Sequence, residues 1–306
     1  MFGPGGREEG RRALLDEGQA VGAGMGNPND GMDRLVDPTA VGDARFHRMG
    51  LKVPDGWIVN PHDGVGVSKA EVEQIISNGI AQANLTRAAI RLPVGTRTKM
   101  VFAVTDVEGH VLGLYRMPDA TVFSIDVAVA KARNVSYYAN QAKLQAVDHL
   151  PGVPVGTAFT NRTFRFLANP RYPTGIDGTD PGWFSQLRDG GTNPLFATNT
   201  GAPIPASAFQ SVLGFDAFNP GTNFRDSTNK TKQNGIVFFP GSAPIYRGNT
   251  LIGGFGVSGD GVDQDDVVTG GGQVGFEVPG SVLRADEVVF QGVRLPYQKH
   301  NRNPEG

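Results

Sequence analysis

Apolar residues first fall into a regular beat at Val72, Ile75, Ile76, Ile80 and Ala83. That spacing lines one face of a helix. Ser68 and Glu71, three positions apart, form a capping box at its start, and Pro93 marks its end, so a helix is predicted from 69 to about 90. The stretch "TKMVFAVTDVEGHVLGLYRM", 98–117, sets two apolar runs either side of "DVEG". Gly109 at the turn completes the signature of a β-hairpin. "VFSIDVAVAKARNVSYYAN", 122–140, is long, rich in alanine and apolar on most sides, which predicts a buried helix. "GWIVNPHDG", 56–64, reads as an irregular approach to the first helix.

From 141 to 233 the pattern is turn-rich, with "ASAFQSVLGF", 206–215, as its one short helix. Phe and Trp recur there, so it reads as an ordered excursion packed on the domain or on a neighbouring subunit. Regularity returns with a strand at 235–239, a hairpin turning at Gly248-Asn249, and a last helix from Asp263 to about 276. One short strand is expected in the closing stretch. The order is α-β-β-α, a long insertion, then β-β-β-α. It predicts an α+β fold of antiparallel hairpins with helices on the faces of a five-stranded sheet. Residues 1–67 form an extended arm, 68–292 a single domain with its insertion at about 141–233, and 293–306 a polar tail. Neither half has enough strands alone, so 68–140 and 235–276 are expected to share one sheet.

Composition narrows the function. Lys plus Arg is 28 and Asp plus Glu 30, which favours neither nucleic acid nor an anionic surface. There is no cysteine, so disulfides, thiolate metal sites and cysteine nucleophiles are excluded. The longest uncharged run, Gly190 to Phe215, carries three prolines and is no membrane span. The first residues lack the apolar core of a signal peptide, which leaves a cytoplasmic protein or one exported within a longer precursor. Gly and Pro, 43 and 21 residues, demand many turns.

"GGFGVSGDGVDQDD", 253–266, holds the spacing Gly254-x-Gly256-x-x-Gly259 and then four aspartates. A dinucleotide loop would place its pyrophosphate where Asp263, Asp265 and Asp266 crowd the helix start, and like charges repel there. The spacing does not fit a calcium loop. The plainest account is architectural. Gly253 and Gly254 permit close backbone approach, Gly256 and Gly259 a tight turn, Asp263 caps the last helix, and Ser258 bonds to nearby backbone. A cation held by Asp263 and Asp265 is the alternative.

Four ordered motifs resemble the HbpS/GlcG-like family, also found as the C-terminal domain of PduO-type corrinoid adenosyltransferases. They are Asp106, Gly109 and His110; Ala128, Lys131 and Ala132; Pro240, Gly241, Pro244 and Ile245, with Ser242 in place of a usual Gly; and Val257, Ser258, Gly259, Gln264 and Asp265. The resemblance implies a profilin-like layered fold around a five-stranded antiparallel sheet, a heme or tetrapyrrole ligand, and assembly into homo-oligomers. The long insertion and the "GGG" at 270–272 depart from the family pattern.

His110 is a natural choice for an axial ligand or acid–base group, although a histidine at this position also serves simply to fill the turn edge. Lys131, in an apolar helix, requires a partner, either a ligand or a salt bridge to an acidic loop residue. Tyr137, Tyr138, Met117 and Ser258 complete the candidates for ligand contact, although aromatics late in a core helix also serve simply to fill it. Three functions remain open: a heme- or tetrapyrrole-binding oligomeric module for sensing or storage, an enzyme acting on a small carboxylate or degrading heme, and a structural oligomerisation domain. No Ser-His-Asp set or paired-carboxylate site is visible.

Overall fold

The computed structural model describes residues 53–169, 171–173, 178–180, 182–184, 235–300 and 304–305. The expected helix at 206–215 and most of the arm and insertion lie outside the described residues.

Strand β1 (Gly56–Val59) precedes helix α1 (Lys69–Leu85). Strands β2 (Met100–Asp106) and β3 (Val111–Arg116) form the hairpin, and helix α2 (Ser124–Ala139) follows. A short helix α3 (Asn161–Leu167) lies within the 141–233 excursion. Strands β4 (Ser242–Arg247) and β5 (Thr250–Gly259) make a second hairpin ahead of helix α4 (Val262–Gly272). Two-residue strands β6 (Val289–Phe290) and β7 (Val293–Arg294) pair near the C-terminus.

One five-stranded antiparallel sheet runs in the order β1-β3-β2-β5-β4. This is the layered α+β arrangement around a five-stranded antiparallel sheet expected from the element order, and it agrees with the profilin-like fold that the resemblance implies. The halves meet where β2 pairs with β5, from Met100 opposite Gly259 to Asp106 opposite Gly253.

Two expectations about the strands change. The fifth strand is β1, inside the stretch expected to be irregular and within the expected arm; Trp57 pairs with Tyr115. Residues 235–239 are not a strand. Their polar groups are met by side chains instead: Val237 N donates to Asn134 Oδ1 at 2.9 Å, and Asn134 Nδ2 donates to the Gly235 carbonyl. Helix α1 also stops earlier than expected. Its cap is Thr86, whose N–H and hydroxyl both return to the Gln82 carbonyl at 2.9 and 2.8 Å. The Ser68–Glu71 capping box is present at its start.

The glycines of 253–259 lie within β5, not in a loop. A methyl group on Gly254 would overlap the Ala132 carbonyl oxygen, and one on Gly256 the Ala128 carbonyl oxygen. Glycine there lets α2 lie directly on the sheet. Gly256 therefore serves close packing and not the turn expected of it. Fifteen of the sixteen α2 residues are buried, as its all-round apolar pattern requires.

Two apolar cores result. The first holds α1, the sheet and the first half of α2, around Ile75, Phe102, Val129 and Phe255. The second gathers Tyr137, Tyr138, Phe159, Phe164 and Phe184 with Leu295 and Tyr297 from the expected polar tail. The tail is held by backbone acceptors too: Thr160 Oγ1 donates to the Tyr297 carbonyl, and Thr163 Oγ1 to that of Pro296 at 2.7 Å.

Candidate functional site

His110 closes the β2–β3 turn. Gly109 sits there at φ +82°, and its N–H donates to the Asp106 carbonyl at 3.1 Å. The Asp106 side chain organises the turn. Its Oδ1 accepts from Glu108 N and His110 N, both at 2.9 Å, and its Oδ2 accepts from Val65 N at 3.0 Å. The same Oδ2 lies 3.2 Å from His110 Nδ1. Burial pushes the Asp106 carboxyl up, but the His110 ring and the amide donors outweigh it and hold it below its ordinary value. An ionised carboxylate can only accept, so Nδ1 carries a proton, and in the neutral form of the ring the lone pair is on Nε2. The His110 side chain is 22% exposed while that of Asp106 is 1% exposed. Helix α2 braces the turn from behind: Arg133 Nε donates to the Gly109 carbonyl at 2.9 Å and Ser136 Oγ to the Asp106 carbonyl at 3.2 Å. The result is one partly exposed imidazole on a rigid, buried mount.

Lys131 lies elsewhere, against β5 and α4. Its ammonium group is fully buried and donates to the Val257 carbonyl at 2.6 Å and to Asp265 Oδ2 at 2.9 Å. Burial drives the lysine down from its ordinary value, opposed by Asp265; burial also drives the Asp265 carboxyl up to about 6, with Lys131 opposing. Asp265 Oδ1 is buried without a hydrogen-bond partner among the described residues. The acidic partner expected for Lys131 is thus found, on a helix and not a loop.

Next to this pair, Asp266 accepts from Arg162 Nε, from Gly241 N at 3.0 Å and from Lys299 N at 2.9 Å. Asp263 receives Arg162 Nη2 at 2.7 Å and Lys299 Nζ at 2.8 Å. The cations that meet these aspartates are the chain's own. Among the described residues no group of three or more His, Asp or Glu could hold a metal ion. Asp263 does not cap α4 either; the cap is Gly261, at φ +142°, with no side-chain bond. Ser258 Oγ donates to Ser124 Oγ at 3.1 Å, a link from sheet to helix and not a local backbone bond.

The aromatic candidates are buried in the second core. Tyr137 donates its hydroxyl to Asp148 Oδ2 at 2.5 Å and accepts from Gln145 N at 3.1 Å. Tyr138 stands among Phe159, Phe164 and Phe184, and its buried hydroxyl has no partner among the described residues. Met117 Sδ is buried at 3.4 Å from Met100 N. The candidates therefore fall in three places along α2, and His110 alone among them combines exposure with a polarising partner. Sequence reasoning marks neither Asp106 nor Arg162 as functional. The spacing of Asp106 and His110 across "DVEGH" carried the signal for the first; Arg162 had none.

Residues 203–272 match a family model described as haem degrading protein HbpS-like. No curated protein matches. Two solved structures are similar at a distance. One is a PduOC:heme complex, 17% identical with a TM-score of 0.37, covering 70% of this chain and 98% of the other. The second is the Klebsiella pneumoniae protein ORFY, tied to the family model DUF336, 18% identical with a TM-score of 0.38, covering 70% and 93%. The matched stretch includes β4, β5 and α4, and the similarity to the HbpS-like family rests on that segment.

Proposed function

We propose that this chain binds heme or a closely related iron tetrapyrrole, with His110 Nε2 as the axial ligand. The observation that carries the reading is the Asp106–His110 pair. A buried carboxylate on Nδ1 fixes the tautomer, aims the ring and raises the basicity of Nε2, as partners of metal-bound histidines do. The HbpS-like description of the matched family supports the same ligand. Lys131, Tyr137, Tyr138 and Met117 are sealed in the interior, so they shape α2 and its cores and do not touch the ligand. Asp106 orients the imidazole, Arg133 and Ser136 hold the turn, and the bound iron would supply the redox chemistry.

Titrating the apo-protein with hemin and following the Soret band tests this. Saturable binding at micromolar hemin is expected. His110→Ala should lose most of the affinity while keeping its circular dichroism, because a partly exposed turn residue is not a core group. Asp106→Asn should weaken binding by about 10–100-fold, the usual cost of losing such a partner. No Soret shift, or unchanged binding in His110→Ala, counts against the assignment. Loss of the band with an electron donor and oxygen would extend the function to heme degradation; a stable spectrum would leave a binding or storage role.

A further inference from the structure

The turn that carries His110 is acidic. Glu108 N and His110 N each donate to Asp106 Oδ1 at 2.9 Å, so the two residues are held beside each other on one oxygen. The Asp106 carboxylate is bonded to the His110 ring, and the Glu108 side chain is 39% exposed. A ligand that reaches His110 Nε2 therefore meets two carboxylates of the protein. Heme carries two carboxylates of its own, at the rim of the macrocycle. Like charges repel at such short range, and a cation at the turn is needed to offset them.

Arg133 touches the turn from within. Its Nε donates to the Gly109 carbonyl at 2.9 Å and its side chain is fully buried, out of a ligand's reach. Lys143 reaches the turn at the surface. Its ammonium group is bonded to the Glu108 carboxylate, and its side chain is 24% exposed, close to the 22% of His110. Lys143 follows the end of α2, at the root of the 141–233 excursion, on backbone that is well anchored. Lys143 N and Leu144 N donate to the Asn140 carbonyl at 3.2 and 3.0 Å, and Ala142 N to Asn140 Oδ1 at 3.0 Å. Gln145 N donates to the Tyr137 hydroxyl at 3.1 Å. Ion pairs at a surface contribute little to stability. What this pair does is park a cation beside the imidazole. An ammonium group has three N–H donors, and among the described residues Lys143 gives one, to Glu108.

We propose that Lys143 recognises a carboxylate of the ligand at the His110 site. With the tetrapyrrole iron on Nε2, the ammonium group bonds a carboxylate at the rim of the macrocycle and makes the site selective for tetrapyrroles whose carboxylates are free. The inference rests on the heme reading and adds what selects the ligand. Hemin and its dimethyl ester, each titrated into the full chain and followed by the Soret band, test it, because the ester keeps the iron and the macrocycle but not the charges. The wild type should bind hemin about five- to tenfold more tightly than the ester. Lys143→Met should bring hemin down to the affinity of the ester and leave the ester unaffected. Lys143→Arg should keep the preference, and Glu108→Gln, which removes a competing carboxylate, should widen it. His110→Ala should lose both ligands, which separates the ligating residue from the selecting one. Equal wild-type affinities for hemin and ester, or a preference that survives in Lys143→Met, overturn the proposal and leave heme binding intact. Binding of neither ligand by the wild type overturns the heme reading and this inference together.

Discussion

Gly254 and Gly256 set the distance between α2 and the sheet, and every side chain that α2 delivers depends on it. A single methyl group at Gly254 meets the Ala132 carbonyl, a backbone atom that cannot rotate away. Gly254→Ala is expected to cost about 1–3 kcal/mol or more through overpacking. Gly280→Ala, with open space around it, should be nearly neutral. Urea denaturation of the two variants checks the contrast; equal stabilities would remove the close-approach argument. The two neighbouring aspartates of α4 differ in the same way. Asp263 holds part-exposed cations, so Asp263→Ala should cost at most about 1 kcal/mol. The Asp266 side chain is fully buried and satisfies Arg162 and two backbone N–H groups. Asp266→Ala strands all three donors and should cost about 3–5 kcal/mol.

At the scale of elements, Lys131 and Asp265 join α2 to α4 through an ion pair sealed in the interior. Removing one partner leaves a buried charge alone, so Lys131→Met should destabilise by about 3–5 kcal/mol, and Lys131→Met with Asp265→Leu should recover most of that loss. The pair also writes a pH dependence. The folded Asp265 carboxyl sits at about 6, above its ordinary 3.8, so the folded state keeps a proton that the unfolded chain has released. Its contribution is greatest below 3.8 and declines as pH rises through about 6. Lys131 is displaced downward by burial, so its contribution improves as pH rises from its folded value toward 10.5. Lys131→Met removes the opposing cation and should steepen the decline between 3.8 and neutrality; denaturation across that range measures it.

The elements that could be read from the sequence are those with local causes. The Ser68–Glu71 box, the "DVEG" turn and the all-round apolar pattern of α2 each sit within a few residues of what they determine. Strand β1 escaped because four residues between Pro54 and Pro61 give too short a period, and its existence depends on the free edge of β3. The apolar run at 235–239 mimicked a strand because the amide of Asn134, about a hundred positions earlier, takes the place of a partner strand. At the candidate site, Asp106 and His110 were legible together as neighbours in a turn. The need of Lys131 for a partner was legible from its apolar surroundings, but the partner's identity comes from tertiary contact over 134 positions.

Over the whole molecule, α2 is the shared wall of both cores, and the C-terminal stretch closes the second. Leu295 and Tyr297 are buried there, and Lys299 crosses to Asp263 and Asp266 on α4. Burying two such side chains contributes about 1.5–3 kcal/mol each. Truncation after Arg294 should therefore lower the melting temperature clearly and expose Tyr137 and Tyr138 to near-ultraviolet change, while a hemin site at the β2–β3 turn should survive. Unaltered melting would show that the stretch adds nothing to the second core.

The pairing of β2 with β5 has a consequence in time. The edge of β2 that β5 will cover is complete at Asp106, and β5 begins at Thr250. At elongation rates of about 5–20 residues per second, the ribosome needs roughly 7–30 s to deliver the missing strand across those 144 positions (250 − 106). During that interval the nascent β2–β3 hairpin carries an apolar, unpaired edge of the kind that recruits strands from other chains. The cell must shelter that edge while the long insertion is made, so yield on overexpression should depend on chaperone supply and on slowing synthesis more than on the stability of the finished fold.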